Sequence, residues 1–507
     1  MVVAYICAME NTLQDKRGWV LAALMITMTL AAMDITIIST VVPQIVSDLG
    51  GFTKFSWVFS IYLLAQTVTI PLYGKLSDIY GRKRILIFGI VVFLIGSAVS
   101  GAAWDITSLI TFRGIQGIGA GSIMATVNTI AGDIYSVKER AKIQGYLSSI
   151  WGVSAIIGPA LGGTLAELAS WRWIFYINIP IGIVAIIFLV VFFKEDIEEV
   201  KSKIDYKGAV LVMLTLSLIL IFLLESGQSW PWYSLHSLAF IVLIIGLAIW
   251  TYHTEKHTPH AIMPFWIWKN KTIGFTSLAM VGLGISVMGP ETFLPTFTQT
   301  SLGLGVIASG FVLASMSIGW PTASALSGKI YLRIGFRETS LIGATLVLLS
   351  AIGFLLIPKP QPIYLIVISQ VVLGAGFGLL STPSMVGTQS MVPWQQRGVV
   401  TGSIVFSRNL GQSLGATIFG TIFNNTLIQQ LKSAPEDLAS STQNVIETLN
   451  DESVSESAKA FLRSAISNSM DYIYWGIVFF AILIFIFMYL VPHRDPNDES
   501  VIKIERE

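Results

Sequence analysis

Residues 109–167 read LITFRGIQGIGAGSIMATVNTIAGDIYSVKERAKIQGYLSSIWGVSAIIGPALGGTLAE, two apolar, glycine-rich runs joined by a short charged turn. Arg113 stands inside the first run, where a charge at bilayer depth is costly and is kept for a partner or a pathway. The second run carries Gly152, Gly158, Pro159, Gly162 and Gly163. Small residues let helices approach closely, and a proline frees a main-chain carbonyl. That run is expected to be a helix that bends and packs tightly.

The same stretch recurs half a chain later. A shift of 257 residues, without a gap, sets Gly117, Gly119 and Gly121 on Gly374, Gly376 and Gly378. Arg140 then falls on Arg397, Gly145 on Gly402, Gly158 on Gly415 and Gly163 on Gly420. Apolar composition alone does not produce so long a match in one register, so two structurally related halves are expected. They are chemically unequal: Arg113 becomes Gln370 and Pro159 becomes Ala416.

Working outward, the 507 residues are 53% hydrophobic and only 12% charged, with a mean hydropathy of +0.72. A bilayer span needs about 20 mostly apolar residues, and about fourteen such runs can be counted. The expected fold is an all-α polytopic membrane protein with 14 transmembrane helices. Residues 1–17 would be a cytoplasmic N-terminus and 18–193 a first bundle of six helices. A linker (194–206), two inserted helices (207–252) and a second linker (253–271) would follow. Residues 272–491 would form a second six-helix bundle interrupted by a polar outer segment, 425–471, before a cytoplasmic tail at 492–507. In that outer segment Val445, Leu449, Ala458, Phe461, Leu462 and Ile466 suit short amphipathic helices, against a disordered loop.

Charge distribution sets the orientation. With a cytoplasmic N-terminus, 23 of the 31 Lys and Arg residues fall on the cytoplasmic side and six on the other, while Arg113 and Arg408 lie within spans. The bias places both termini inside. A net charge of +1 gives no argument for nucleic acid as a partner. The single cysteine, Cys7, excludes an internal disulfide framework. The first apolar run is too long for a cleaved signal and lacks a small-residue cleavage site. Met9 is an alternative start to Met1.

Asp34, in LAAMDITIISTVVPQI, and Arg113 are each about seven residues from the outer ends of their spans, roughly 10 Å deep by helical rise. Opposite charges at one depth can pair; the alternative is two side chains snorkelling separately to the interface. Between spans two and three lies YGKLSDIYGRKRI, residues 73–85. Gly74 and Gly81 permit a tight turn, Asp78 can cap a helix or pair with a base, and Arg82 faces the cytoplasm. The second half repeats the pattern as SGKIYLRIGFR, 327–337, with Leu332 in place of Asp78. Gly74, Asp78, Gly81 and Arg82 therefore read either as a topology anchor or as a gate that closes one half on the other.

These residues carry a family resemblance. GKLSDIYGRKR resembles the loop signature of the major facilitator superfamily, RGIQGIGAG its fourth-helix arginine motif, and GPALGG its fifth-helix antiporter motif. WRWIFYINIPIG and MDITIISTVVPQI resemble the fourteen-helix drug:proton antiporter branch. The resemblance implies a central cavity between two bundles and export driven by proton entry, with Asp34 and Arg113 near the coupling site and no cofactor. The implied partners are protons, the lipid bilayer and a small amphipathic, cationic substrate. The implied setting is a monomer in a cell membrane, namely the bacterial plasma membrane.

Glu291, in SVMGPETFLPTFTQTS, is a substrate-binding or second titratable residue if its span continues to about Gln299, and a surface residue if the span ends near Thr292. Arg408 lies within span thirteen and needs a partner that sequence does not name. His253, His257 and His260 have helical spacing, but Pro259 interrupts it and no carboxylate completes a metal set. A nucleotide-driven pump would need a GxxxxGK[ST] loop, which is absent. A membrane-embedded lipid enzyme would need clustered acid/base or metal residues, which are not evident. An exporter of one physiological solute, such as a siderophore or metabolite, stays open beside a drug exporter.

Overall fold

The computed structural model describes residues 2–38, 41–50, 54, 56–195, 205–226, 230–258, 261–359, 361–431 and 455–493. Among the described residues, fourteen long helices are present. The first six are α1 (Val2–Ile38), α2 (Ser56–Tyr80), α3 (Arg82–Gly101), α4 (Ile106–Ile134), α5 (Val137–Leu168) and α6 (Asn178–Phe192). Two more, α7 (Tyr206–Glu225) and α8 (Leu235–His257), pack mainly on each other. The last six are α9 (Lys271–Ser301), α10 (Met316–Ile334), α11 (Phe336–Leu355), α12 (Ile363–Gln389), α13 (Arg397–Leu431) and α14 (Glu456–Leu490).

Among the described residues, eleven helices are long and apolar enough to cross a bilayer by length and composition alone. The three that miss that measure are α4, α10 and α13, which carry the glycines, serines and arginines singled out above. Their polar content lies inside the protein: in α4 Arg113, Gln116, Ser122, Thr126 and Thr129 are fully buried. Helix starts follow local chemistry. Asp105 and Ser108 form a reciprocal capping box on α4, as Ser136 and Glu139 do on α5. Gly81 and Gly335, at φ +90° and +98°, make the sharp turns that begin α3 and α11, a conformation open mainly to glycine.

The internal repeat is visible as repeated packing. A methyl group on Gly117 would strike the Tyr62 carbonyl of α2, and one on Gly374 would strike the Met316 carbonyl of α10. Gly119 lies against the backbone of α3 and Gly376 against that of α11; Gly158 meets α1 and Gly415 meets α9. These three matched pairs of glycines thus let corresponding helices touch within each half, where close packing is a main source of helix association in lipid. The halves meet chiefly where α5 lies on α10 and α2 on α13. Gly145 abuts Pro321 and Ala325, Gly152 abuts Ser317, and Gly74 abuts Gly398.

Several boundaries differ from expectation. Helix α5 runs unbroken through Pro159, and Gly163 has no neighbour against its Cα, so Gly163 is not a packing residue here. Helix α13 continues to Leu431 and α14 begins at Glu456, which narrows the polar outer segment. Ala458, Leu462 and Ile466 are buried on this extension of α14 and do not form a separate surface helix, because Gln430 and Asn468 tie it to α13 by a 3.0 Å hydrogen bond. Val445 and Leu449 lie outside the described residues, as does His260.

Candidate functional site

Helices α1, α2 and α4 bring together a buried polar cluster. Arg113 Nη1 donates to Asp34 Oδ2 and, at 2.7 Å, to Gln116 Oε1, while Gln116 Nε2 donates to Asp34 Oδ1 at 2.7 Å. Both carboxylate oxygens are therefore engaged. The guanidinium lies over the Tyr62 ring, 4.1 Å from its centroid, and Arg113 Nε donates to the Val58 carbonyl at 3.4 Å. Asp34, Tyr62, Arg113 and Gln116 are all buried. Two groups of this cluster, Arg113 Nη2 and the Tyr62 hydroxyl, are buried without a hydrogen bond. A buried charge pair broken on one side leaves an uncompensated charge, a cost of about 3–5 kcal/mol. The pair expected from depth is thus present, and sequence reading missed two of its partners. Gln116 was legible, since it follows Arg113 by three residues and so shares its helix face; Tyr62 carried no such signal.

A second cluster joins the halves at the turn between α2 and α3. Asp78 Oδ1 accepts from Arg82 Nη2 at 2.8 Å and from Gly398 N at 2.9 Å, and Oδ2 accepts from Val399 N at 2.9 Å. Gly398 and Val399 are in the first turn of α13, whose unpaired N–H groups and dipole favour a negative charge. Arg82 Nε donates to Asp133 at the end of α4 at 2.9 Å, and Arg397 donates to the other oxygen of Asp133 at 3.2 Å. The Arg82 guanidinium also sits 3.6 Å from the Trp394 ring centroid and donates to the Trp394 carbonyl at 2.6 Å. Glu195 accepts from the main-chain N–H groups of Arg82 and Lys83, closing the start of α3. Sequence reading found Gly74, Asp78, Gly81 and Arg82 but not Asp133, Trp394, Arg397 or Glu195, which come from distant parts of the chain.

The pseudo-symmetric contact is built differently. Leu332, in the place of Asp78, is 42% exposed and accepts nothing. The Tyr331 hydroxyl donates to the Val137 carbonyl at the start of α5, and Gly328 lies against Ala141. Arg140 donates to the Ser390 hydroxyl at 3.2 Å. The first contact is thus built on ion pairs, whereas in the second Tyr331 and Arg140 donate to neutral acceptors.

The family model described as Major Facilitator Superfamily matches residues 24–416. The chain belongs to that superfamily. It is 34% identical to Multidrug resistance protein 3 of Bacillus subtilis over 83% of this chain and 82% of that one. It is 30% identical to the multidrug transporter protein MdtP of the same organism, over 97% and 96%. It is 32% identical to the multidrug efflux pump SdrM of Staphylococcus aureus, over 79% and 88%. Among solved structures, the proton:xylose symporter XylE superposes with a TM-score of 0.63 at 13% identity, covering 97% of this chain and all of that one. The human organic anion transporter MFSD10 gives 0.60 at 14%, covering 94% and 99%. These two show the fold alone.

In this superfamily member the second half carries its own intramembrane charges. Helix α9 continues to Ser301 without a break at Pro290 or Pro295, so Glu291 is ten residues from its end, roughly 15 Å by helical rise. Of the two helix ends considered from sequence, the later one, beyond Gln299, is the one formed. The Glu291 side chain is exposed on α9. Arg408 of α13 lies within its Coulombic reach without a hydrogen bond between them, and Arg408 Nε is buried and unsatisfied. His253 and His257 stack at 6.4 Å, and the described residues hold no group of three or more metal-type ligands.

Proposed function

We propose that the chain is a proton-coupled exporter of amphipathic, cationic compounds that works by alternating access between two six-helix bundles, 18–193 and 272–491. The reading places both termini in the cytoplasm of a bacterial plasma membrane, with α7 and α8 as inserted helices, no cofactor, and the monomer as the working unit. The observation that carries it is the dry Asp34–Arg113–Gln116 cluster in a chain similar to proteins named as multidrug transporters.

Arginine does not release its proton, so Asp34 is the titrating member. Protonation of Asp34 from outside would dissolve its charge-assisted bonds to Arg113 and Gln116, and loss of the proton inside would restore them. A substrate cation competing for the same carboxylate is then released when the proton arrives, which suffices for antiport. The close contacts at Gly74, Gly145 and Gly152 support reading this conformation as closed on the side of the charged loops. The cluster of Asp78, Arg82, Asp133 and Arg397 acts as the latch of that cytoplasmic gate. Glu291 supplies a negative charge for a cationic substrate in the opposite, open half. Gly152, Gly158, Pro159 and Gly162 keep α5 close to α1 and α10, the two helices that must slide.

Purified protein in liposomes, with an imposed pH gradient and a panel of cationic, neutral and anionic compounds, tests this. Uphill movement of cations against proton flow is expected; flux that ignores the gradient overturns the coupling.

A further inference from the structure

At the cytoplasmic ends of α7 and α8 two carboxylates lie close together, each with one buried oxygen that makes no hydrogen bond. Asp205 caps α7: its Oδ1 accepts from Gly208 N at 2.9 Å, and its Oδ2 is buried and makes no hydrogen bond. Glu255, near the end of α8, is 8% exposed. Its Oε2 accepts from Met263 N at 2.9 Å, and its Oε1 is also buried and unsatisfied. A methyl group on Gly208 would strike both free oxygens, Asp205 Oδ2 and Glu255 Oε1, so the two flank a single point. Each carboxylate thus spends one oxygen on a main-chain N–H and turns the other toward its neighbour.

Two adjacent carboxylates cannot both ionise cheaply, and an unsatisfied buried oxygen carries a penalty of its own. The surrounding charges do not resolve this. Lys207 of α7 is turned onto the Trp250 ring and Lys256 of α8 onto the Tyr252 ring. Lys75 of α2 is the facing charge from the packed helix, and it lines with Glu255 and Lys256 a cavity of about 300 Å³. One positive charge offsets one carboxylate, which leaves the other to be neutralised.

We infer that Asp205 and Glu255 form a proton-binding site outside the membrane-embedded charges, holding one proton between Oδ2 and Oε1. With that proton bound, the pair and Lys75 form a neutral set, and the start of α7 is tied to the end of α8 and, through Met263, to the segment that follows. The same cavity is walled by Trp266 on one side and by Gln395 and Gln396 on the other. Those glutamines adjoin Trp394, which covers Arg82 of the latch. The proton therefore fastens the inserted helix pair against the gate; its loss in alkaline cytoplasm sets two negative charges side by side and loosens the segment.

The site is independent of Asp34, so the Asp34→Asn protein should keep it, and Glu255→Gln should still export uphill when a pH gradient is imposed. Two measurements on the purified full chain test it. Counting protons taken up as the medium is brought from about pH 8.5 to about pH 5.5, a range above the ordinary carboxylate values of about 4, wild type should bind one more per molecule than Asp205→Asn or Glu255→Gln. In a Cys7→Ser background, Ala261→Cys, at a 4% exposed position in the cavity wall, should react with a thiol reagent several-fold faster at alkaline pH, relative to the unfolded chain at each pH. Glu255→Gln, whose amide can donate to Asp205, should remove that acceleration. Unchanged proton counts in both variants overturn the inference. So does reactivity governed by added magnesium or chelator and not by pH, which would make the pair a divalent-cation site.

Discussion

Asp78 and Gly398 are 320 residues apart in the chain, yet the carboxylate of one accepts the main-chain N–H of the other at 2.9 Å. The bond runs from the turn of the first half to the first turn of a helix in the second. A negative charge at such a helix start is worth about 0.3 to 2 kcal/mol. That is enough to shift the balance between closed and open gate states by up to about thirtyfold, at about 1.4 kcal/mol per factor of ten.

Asp78→Asn keeps an acceptor for one N–H and removes the charge that Arg82 and the α13 dipole both use. Transport should slow about tenfold while substrate affinity, measured by equilibrium binding to purified protein, stays within about twofold. Lost affinity with an unchanged transport rate would remove the gate assignment.

Gly74→Ala puts a methyl group against the Gly398 carbonyl, 2.6 Å from where its Cβ would sit, with backbone on both sides and nothing flexible to yield. The closed contact between α2 and α13 should not form. Cysteines placed on the two helices should lose their cross-linking, while circular dichroism and yield remain those of wild type.

Asp34→Asn should abolish uphill, pH-driven export, and binding in that variant should lose much of its pH dependence. Gln116→Leu leaves Asp34 Oδ1 without a donor in a buried site, a cost of about 1–3 kcal/mol, and should impair coupling without removing it. Full pH-driven export by a well-expressed Asp34→Asn protein would move the proton site elsewhere, with Glu291 next to be tested.

Glu291→Gln should reduce export of cations more than of neutral compounds of similar size. Equal loss of both would assign Glu291 to coupling or folding. Orientation is checked in the same preparations: a cysteine at Ser457 should label from outside intact cells, and one at Lys138 only after permeabilisation.

Outside the membrane-spanning segments, Asp105 offers a pH test of known sign. The Ser108 main-chain N–H and then its hydroxyl hold the Asp105 carboxyl below its ordinary value. A carboxylate so lowered contributes stability above its unfolded pKa and loses it as pH falls through the folded value. Amide exchange in the first turn of α4 should therefore accelerate on acidification, after correction for intrinsic rates, and be insensitive to pH in Asp105→Ala.

The apolar runs, the half-chain repeat and the bias of Lys and Arg determined the helices, the pairing of related segments and the proposed orientation, because span length and charge placement answer to the bilayer and not to distant contacts. Asp34 and Arg113 were legible for a related reason: two opposite charges at one depth in lipid have few alternatives to each other. Tertiary structure alone decided the rest. Asp133, Trp394 and Arg397 reach Arg82 from three separate places, and no local pattern marks a residue whose partner is hundreds of positions away. Depth estimates for Glu291 hinged on whether α9 survives two prolines, which packing against α13 and α14 settles and propensity does not. Asp205 and Glu255 read as ordinary charged residues at helix ends; only folding α7 onto α8 left one oxygen of each buried, aimed at the other and unsatisfied.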